Sequence, residues 1–221
     1  MSNKYSIYGV FEHWFNGGTV YIYSDPHFGD KELFEKYRSK KFENIKTVEE
    51  FDKMQIDNIN RCVGRTDTII FLGDIGDINC IKKIRGYKVL IMGNHDLGAS
   101  NYIREVIFNE WDSGKPYVKS DNKLFDEVYE GPLFISKKIL LSHEPIVGLP
   151  FVMNLHGHDH SGAKIDEYHC NYCADVIGYK PVNLIQQIKN GLCKDVEDIH
   201  RITIDHATAK KLLREKIIFD N

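Results

Sequence analysis

The residues best equipped for chemistry fall into five short polar clusters. They are Asp25-Pro26-His27, Gly73-Asp74, Gly93-Asn94-His95-Asp96, Ser142-His143 and His156-Gly157-His158-Asp159-His160. Of the 10 histidines in the chain, His27, His95, His143, His158 and His160 all lie in these clusters. Carboxylates, imidazoles and a carboxamide together suit Mn, Fe, Ni, Co or Zn better than Cu(I) or a thiolate cluster. Asp25 and His27 are separated by one residue, so in an extended segment both side chains point to one side. His158 and His160 repeat that spacing. Any one cluster alone reads equally well as a polar turn. Their recurrence, each time after an apolar run, is what distinguishes them.

Those runs must position the clusters. Residues 19–24, 68–72, 87–92, 139–141 and 151–155 are rich in β-branched, aliphatic and aromatic side chains and read as strands. Open α/β sheets place ligand sites beyond the carboxyl ends of their strands, where each cluster stands. Between them, Val48, Phe51, Met54, Ile59 and Val63 mark one face of a helix over 48–63, with Thr47 and Glu50 as a capping box. A short helix over 79–85 completes a strand-helix-strand alternation, which predicts parallel pairing with right-handed crossovers. The segment holding Arg38 and Phe42 reads as irregular and near the rim of the site. Residues 133–136 and 139–141 read as a hairpin with Lys137 and Lys138 at its exposed tip. Residues 97–130 are less regular, with a helix over 101–111, and are expected to face the substrate. Helices are expected over 182–190 and, capped by Asp205, over 205–218.

Composition sets the bounds. A chain of 221 residues with 42% hydrophobic and 28% charged residues suits one soluble domain, taken as 1–221. The net charge of -3 disfavours a broad nucleic-acid-binding surface. No apolar run approaches the roughly 20 residues that span a bilayer, and the start of the chain lacks the apolar core of a signal peptide. Five scattered cysteines point to a reducing, cytoplasmic setting. Cys170 and Cys173 lack the second ligand pair of a structural zinc site and are expected on a half-buried strand. His156 is expected beside the site rather than as a ligand. His13, His169, His200 and His206 are expected to be structural or on the surface, and Arg104 on a helix surface.

The order Asp-x-His, Gly-Asp, Gly-Asn-His-Asp, His, Gly-His-x-His over residues 25–160 resembles the calcineurin-like metallophosphoesterase family. The stretch from Asp175 to Val182 is also similar to small bacterial and phage members. The resemblance implies a four-layer α/β/β/α sandwich, two facing sheets flanked by helices, with a dinuclear centre. By motif, Asp25, His27 and His160 would hold one metal and Asn94, His143 and His158 the second, with Asp74 bridging. His95 would be the catalytic histidine and Asp96 would orient it. Two divalent ions, Mn first and Fe, Ni, Co or Zn as alternatives, would leave the site near +2 with Asp25 and Asp74, which attracts phosphate.

The implied activity is hydrolysis of a small phosphoester, with a diester favoured, through a metal-bridged hydroxide and with His95 as general acid. The alternatives are a phosphomonoesterase acting on a small metabolite or phosphoprotein, and a catalytically inactive scaffold. No membrane partner is expected, nucleic acid is disfavoured, and a homo-oligomer is left open.

Overall fold

The computed structural model describes residues 12–15, 18–96, 105–107, 117–119, 124–136, 138–149 and 152–196. Two sheets organise it. The larger has seven strands in the order β11-β1-β2-β3-β6-β5-β4. Here β1 is Val20–Tyr23, β2 Thr68–Phe71, β3 Tyr87–Ile91, β4 Glu105–Ile107, β5 Tyr117–Lys119, β6 Glu127–Tyr129 and β11 Val182–Asn183. Strands β1, β2, β3 and β6 run parallel, with antiparallel strands at both edges. The smaller sheet orders β10 (His169–Asn171), β9 (Met153–His156), β8 (Ile139–Leu141) and β7 (Leu133–Phe134). In it β8, β9 and β10 are parallel, and β7 closes the edge as the expected hairpin, Leu133 opposite Leu141.

Alternation along the strands builds two cores. Val20, Ile22, Ile70, Val89 and Ile91 face the smaller sheet and pack with its Leu133, Ile139, Leu141, Met153 and Leu155. Tyr23, Ile69, Phe71 and Leu90 point the other way, onto Phe51, Ile56 and Ile59. These three belong to helix α2 (Val48–Cys62), which starts at the expected Thr47–Glu50 capping box. Helix α3 (Leu184–Lys189) follows directly on the β11 edge and buries Leu184 between the sheets. The fold is therefore mixed α/β, two sheets flanked by helices.

Several sequence expectations need correction. Glu105–Ile107 form a strand where a helix was expected, because the backbone pairs antiparallel with β5, Val106 opposite Val118. Val182 and Asn183 pair with β1 before α3 begins, so the helix starts two residues late. Residues 79–85 hold a 3-10 helix, Ile78–Lys83. The segment around Arg38 is wound rather than irregular: helix α1 (Lys31–Leu33) leads into a π turn, Phe34–Arg38, and a 3-10 turn, Ser39–Lys41. Arg38 is 1% exposed, beneath the site and not at its rim. The helix over 205–218, His200, His206, Arg104 and Lys137 lie outside the described residues.

Asp52 of α2 ties this layer to the loop after β1. It accepts the Gly29 N–H at 2.8 Å, while its other oxygen is buried without a partner. Burial pushes its pKa up to about 6. A carboxyl whose folded pKa exceeds its unfolded value contributes stability at low pH that is lost as pH rises through the folded pKa. Asp52→Asn keeps an oxygen for Gly29 and cannot ionise. Its melting temperature relative to wild type should therefore rise steadily between pH 4 and pH 7. A difference that stays flat across that range contradicts the assignment.

Candidate metal centre

All five polar clusters lie at the carboxyl ends of strands that run parallel within their sheets. Beyond β1 and β2, parallel bridging continues into the loops: the Asp25 N–H donates to the Gly73 carbonyl and the His27 N–H to the Asp74 carbonyl. Asp25, His27, Asp74 and His158 all take up left-handed backbone, with φ of 55°, 47°, 55° and 65°. Asp and His tolerate that region better than most residues, and such strain collects at functional sites. The expectation of an extended Asp25-Pro26-His27 segment is thus corrected, although both side chains still converge. Two glycines permit the close approach. A Cβ on Gly93 would lie 2.3 Å from Asp74 Oδ1, and one on Gly157 would lie 2.2 Å from Asp25 Oδ2.

The side chains form two clusters that share one carboxylate. In the first, His27 Nε2 lies 3.9 Å from Asp25 Oδ1 and 3.5 Å from Asp74 Oδ2, and His160 Nε2 lies 3.7 Å from Asp25 Oδ1. In the second, His143 Nε2 lies 2.8 Å from Asn94 Oδ1, 3.1 Å from His158 Nδ1 and 3.4 Å from Asp74 Oδ2. His158 Nδ1 is 3.2 Å from Asn94 Oδ1. Asp74 Oδ2 faces both groups. All seven residues expected to hold metal are brought together.

The residues fit divalent cations on chemical grounds. Asp25 Oδ1 and His27 Nε2 are buried with no hydrogen-bond partner. Burial, then the Arg38 charge, pushes the His27 pKa down to about 3, so the ring is neutral and Nε2 or Nδ1 offers a lone pair. In the second cluster, His143 Nδ1 lies 2.7 Å from the Leu72 carbonyl and must donate to it, leaving Nε2 as an acceptor. At most one proton, on His158 Nδ1, can serve this triangle of atoms. Ligand atoms about 2.1 Å from a common ion sit about 3.0 Å apart at octahedral angles and about 3.4 Å apart at tetrahedral ones. The second cluster has that spacing, and the first is slightly wider.

Exposure is graded across the site. Asp25, His27, Asp74 and His143 are buried, His160 is half-buried, and Asn94, His95 and His158 are exposed. His95 stands at the open rim, its ring 5.3 Å from that of His27, and its N–H donates to Asp74 Oδ1 at 2.9 Å. The Asp96 carboxylate accepts the backbone N–H groups of Gly93, Asp74 and Ile75 at 2.8–2.9 Å, tying together the two loops that flank it. A cleft of about 410 Å³ leads away from Asn94 and His143 between Glu130 and Glu144.

Residues outside the motifs complete the surroundings. His156 is buried beside the site, 2.8 Å from the Gly157 carbonyl, and is not among the clustered atoms. His169 is satisfied by Asp166 and the Ile146 carbonyl, and His13 pairs with Glu127. The Cys170 thiol lies 3.6 Å from Met153 Sδ, whereas buried Cys173 faces Asp25 and His160. Burial pushes the Cys173 thiol pKa up strongly. By sequence, Asp175 belongs to a family-like stretch and Arg38 to the rim of the site, and neither is assigned a role. Burial opposes ionisation of Asp175, but the hydrogen bond from His160 and the Arg38 charge hold its carboxyl well below the usual range. Nothing in sequence joins Asp175 to Arg38 across a separation of 137 residues.

Among the described residues, no helix is long and apolar enough to cross a membrane. Compared with known proteins, residues 18–179 match the model of the calcineurin-like phosphoesterases. An uncharacterised protein of Methanocaldococcus jannaschii, MJ1445, is 30% identical over 179 residues, which cover 75% of this chain and 86% of that protein. The crystal structure of AQ665, a protein of unknown function from Aquifex aeolicus, superposes with a TM-score of 0.56 at 22% identity. It covers 78% of this chain and 98% of its own, a likeness in fold. With two acceptor clusters sharing Asp74 at the strand ends and a family match across the whole site, the chain belongs to the calcineurin-like phosphoesterases.

Proposed function

We propose that the protein hydrolyses a small phosphodiester at a dinuclear metal centre, in a reducing cytoplasm. Membership of the family implies metal-dependent hydrolysis of phosphoesters. The observation that supports the finer reading is that Asp74 Oδ2 faces two groups of ligand atoms, one of which leaves Asp25 Oδ1 and His27 Nε2 buried without a partner. Asp25, His27 and His160 would hold one cation and Asn94, His143 and His158 the other, with Asp74 available to both. When bound, the cations supply Lewis acidity, offsetting charge on the phosphoryl oxygens and making water a competent nucleophile at neutral pH. Mn²⁺ is the proposed ion, suited to a mixed oxygen and imidazole set. The five cysteines are free thiols, in keeping with the proposed compartment.

The protein's own groups supply positioning and a proton. His95 is solvent-exposed at the rim and anchored through its backbone to Asp74, so its ring reaches the leaving oxygen without competing for metal. Asp96 holds the Gly93 and Asp74 loops in one register and so fixes where His95 begins. The cleft favours a diester. Its described lining includes Glu130 and Glu144 and no lysine or arginine, so a singly charged phosphate is easier to seat there than a doubly charged one. The same lining argues against a nucleic-acid strand. Every motif position is filled, which argues against an inactive scaffold.

Substituting His95 and Asp74 separates the two roles. His95→Ala should keep its metal by elemental analysis while kcat falls about 10²- to 10⁴-fold. Asp74→Ala should lose metal as well as turnover, and full activity in either variant contradicts the assignment. With Mn²⁺, kcat/KM should be higher for bis-p-nitrophenyl phosphate than for p-nitrophenyl phosphate. The reverse order would make the protein a phosphomonoesterase.

A further inference from the structure

Asp175 receives more donors than any surface role would need. Its Oδ2 accepts from His160 Nδ1 at 2.8 Å and from Arg38 Nη2 and Nε at 2.8 and 3.1 Å. Its Oδ1 accepts from Lys41 Nζ at 3.0 Å and from the Tyr179 hydroxyl. Arg38, buried between the rings of Phe51 and Tyr179, spends its remaining donors on backbone. Nη1 reaches the Pro26 carbonyl at 2.6 Å and Nη2 the Asp25 carbonyl at 2.9 Å. The carboxylate thus grips His160 directly and, through one guanidinium, the left-handed turn that carries Asp25 and His27.

We infer that Asp175 is the positioning residue of the cation site built on Asp25, His27 and His160, setting the His160 tautomer and clamping the Asp25–Pro26 backbone through Arg38. This rests on the two-cation reading above. A carboxylate oxygen only accepts, so the proton of neutral His160 lies on Nδ1, and Nε2 presents its lone pair towards Asp25. Partners that fix a ligating imidazole in this way raise its basicity and its hold on metal. Arg38 adds specificity of shape, because its planar fork matches a carboxylate and two carbonyls at once. The other site has its own anchor, the Leu72 carbonyl on His143, which lies apart from the described contacts of Asp175. Its effect should be confined to one site of the two.

The test is Mn²⁺ titration of chelator-stripped protein, with each site resolved by calorimetry and the His160 tautomer read from long-range ¹⁵N–¹H spectra. Wild type should bind two equivalents and show the Nδ1–H form. Asp175→Asn should weaken one site about 10- to 100-fold, leave the other unchanged, and populate the Nε2–H form of His160. Equal weakening of both sites, no weakening, or an unchanged tautomer overturns the inference. Wild type that binds no metal overturns the dinuclear reading instead, which keeps the two failures distinct. If Asp175→Asn does not fold, Tyr179→Phe removes one donor to the same carboxylate and is read on the same titration. A several-fold loss at one site is expected, and a loss shared by both or by neither overturns the inference.

Discussion

The structure depends on a crowd of acceptors with too few donors among them. Asp25 Oδ1, His27 Nε2, Asp74 Oδ2, His143 Nε2, Asn94 Oδ1 and His158 Nδ1 converge from separate loops. Leaving buried polar atoms unpaired costs roughly 1–3 kcal/mol each, and Asp25 Oδ1 and His27 Nε2 are both in that state. Protonation is a poor remedy, since burial and Arg38 hold the His27 ring neutral. Cations would resolve the conflict, and on the proposed reading Asp74, which faces both clusters, would serve two of them.

Holding that crowd together requires compensation elsewhere. Four of the converging residues sit in left-handed backbone, and each is held there by hydrogen bonds between loops. Asp96 ties the Gly93 loop to the Asp74 loop through three amides. The His158 N–H donates to Asp25 Oδ2, joining the smaller sheet to the larger across the site. The apolar layer between the sheets keeps these ends opposed, and α2 with its aromatic neighbours encloses Arg38 from the other side. Packing therefore supplies rigidity, and the polar loops turn that rigidity into a fixed set of ligand positions.

Much of this could be read from the sequence because strand ends announce themselves. Apolar runs stopping at Asp25, Asp74, Asn94 and His143 located the carboxyl edge of each sheet, and Thr47 with Glu50 located the start of α2. Local grammar failed where long-range contacts decide. Glu105–Ile107 has a sequence compatible with helix, but its pairing with β5 makes it a strand. Arg38 resembles a solvent-facing residue in a charged segment until Asp175 meets it from the far end of the chain. The spacing of Asp25 and His27 suggested extended backbone, whereas the side chains converge through left-handed φ that no pattern of residue types reports. Asp96 stands out by its motif, yet its grip on the Asp74 and Ile75 amides depends on the three-dimensional approach of two loops.

The most direct measurement of the central claim is electron paramagnetic resonance of the wild-type protein loaded with Mn²⁺ after removal of all metal. Two ions sharing the Asp74 carboxylate should lie about 3.5–4 Å apart and give an exchange-coupled multiline spectrum at two equivalents per chain. A spectrum of isolated Mn²⁺ at saturation, or a stoichiometry of one or none, would contradict the account.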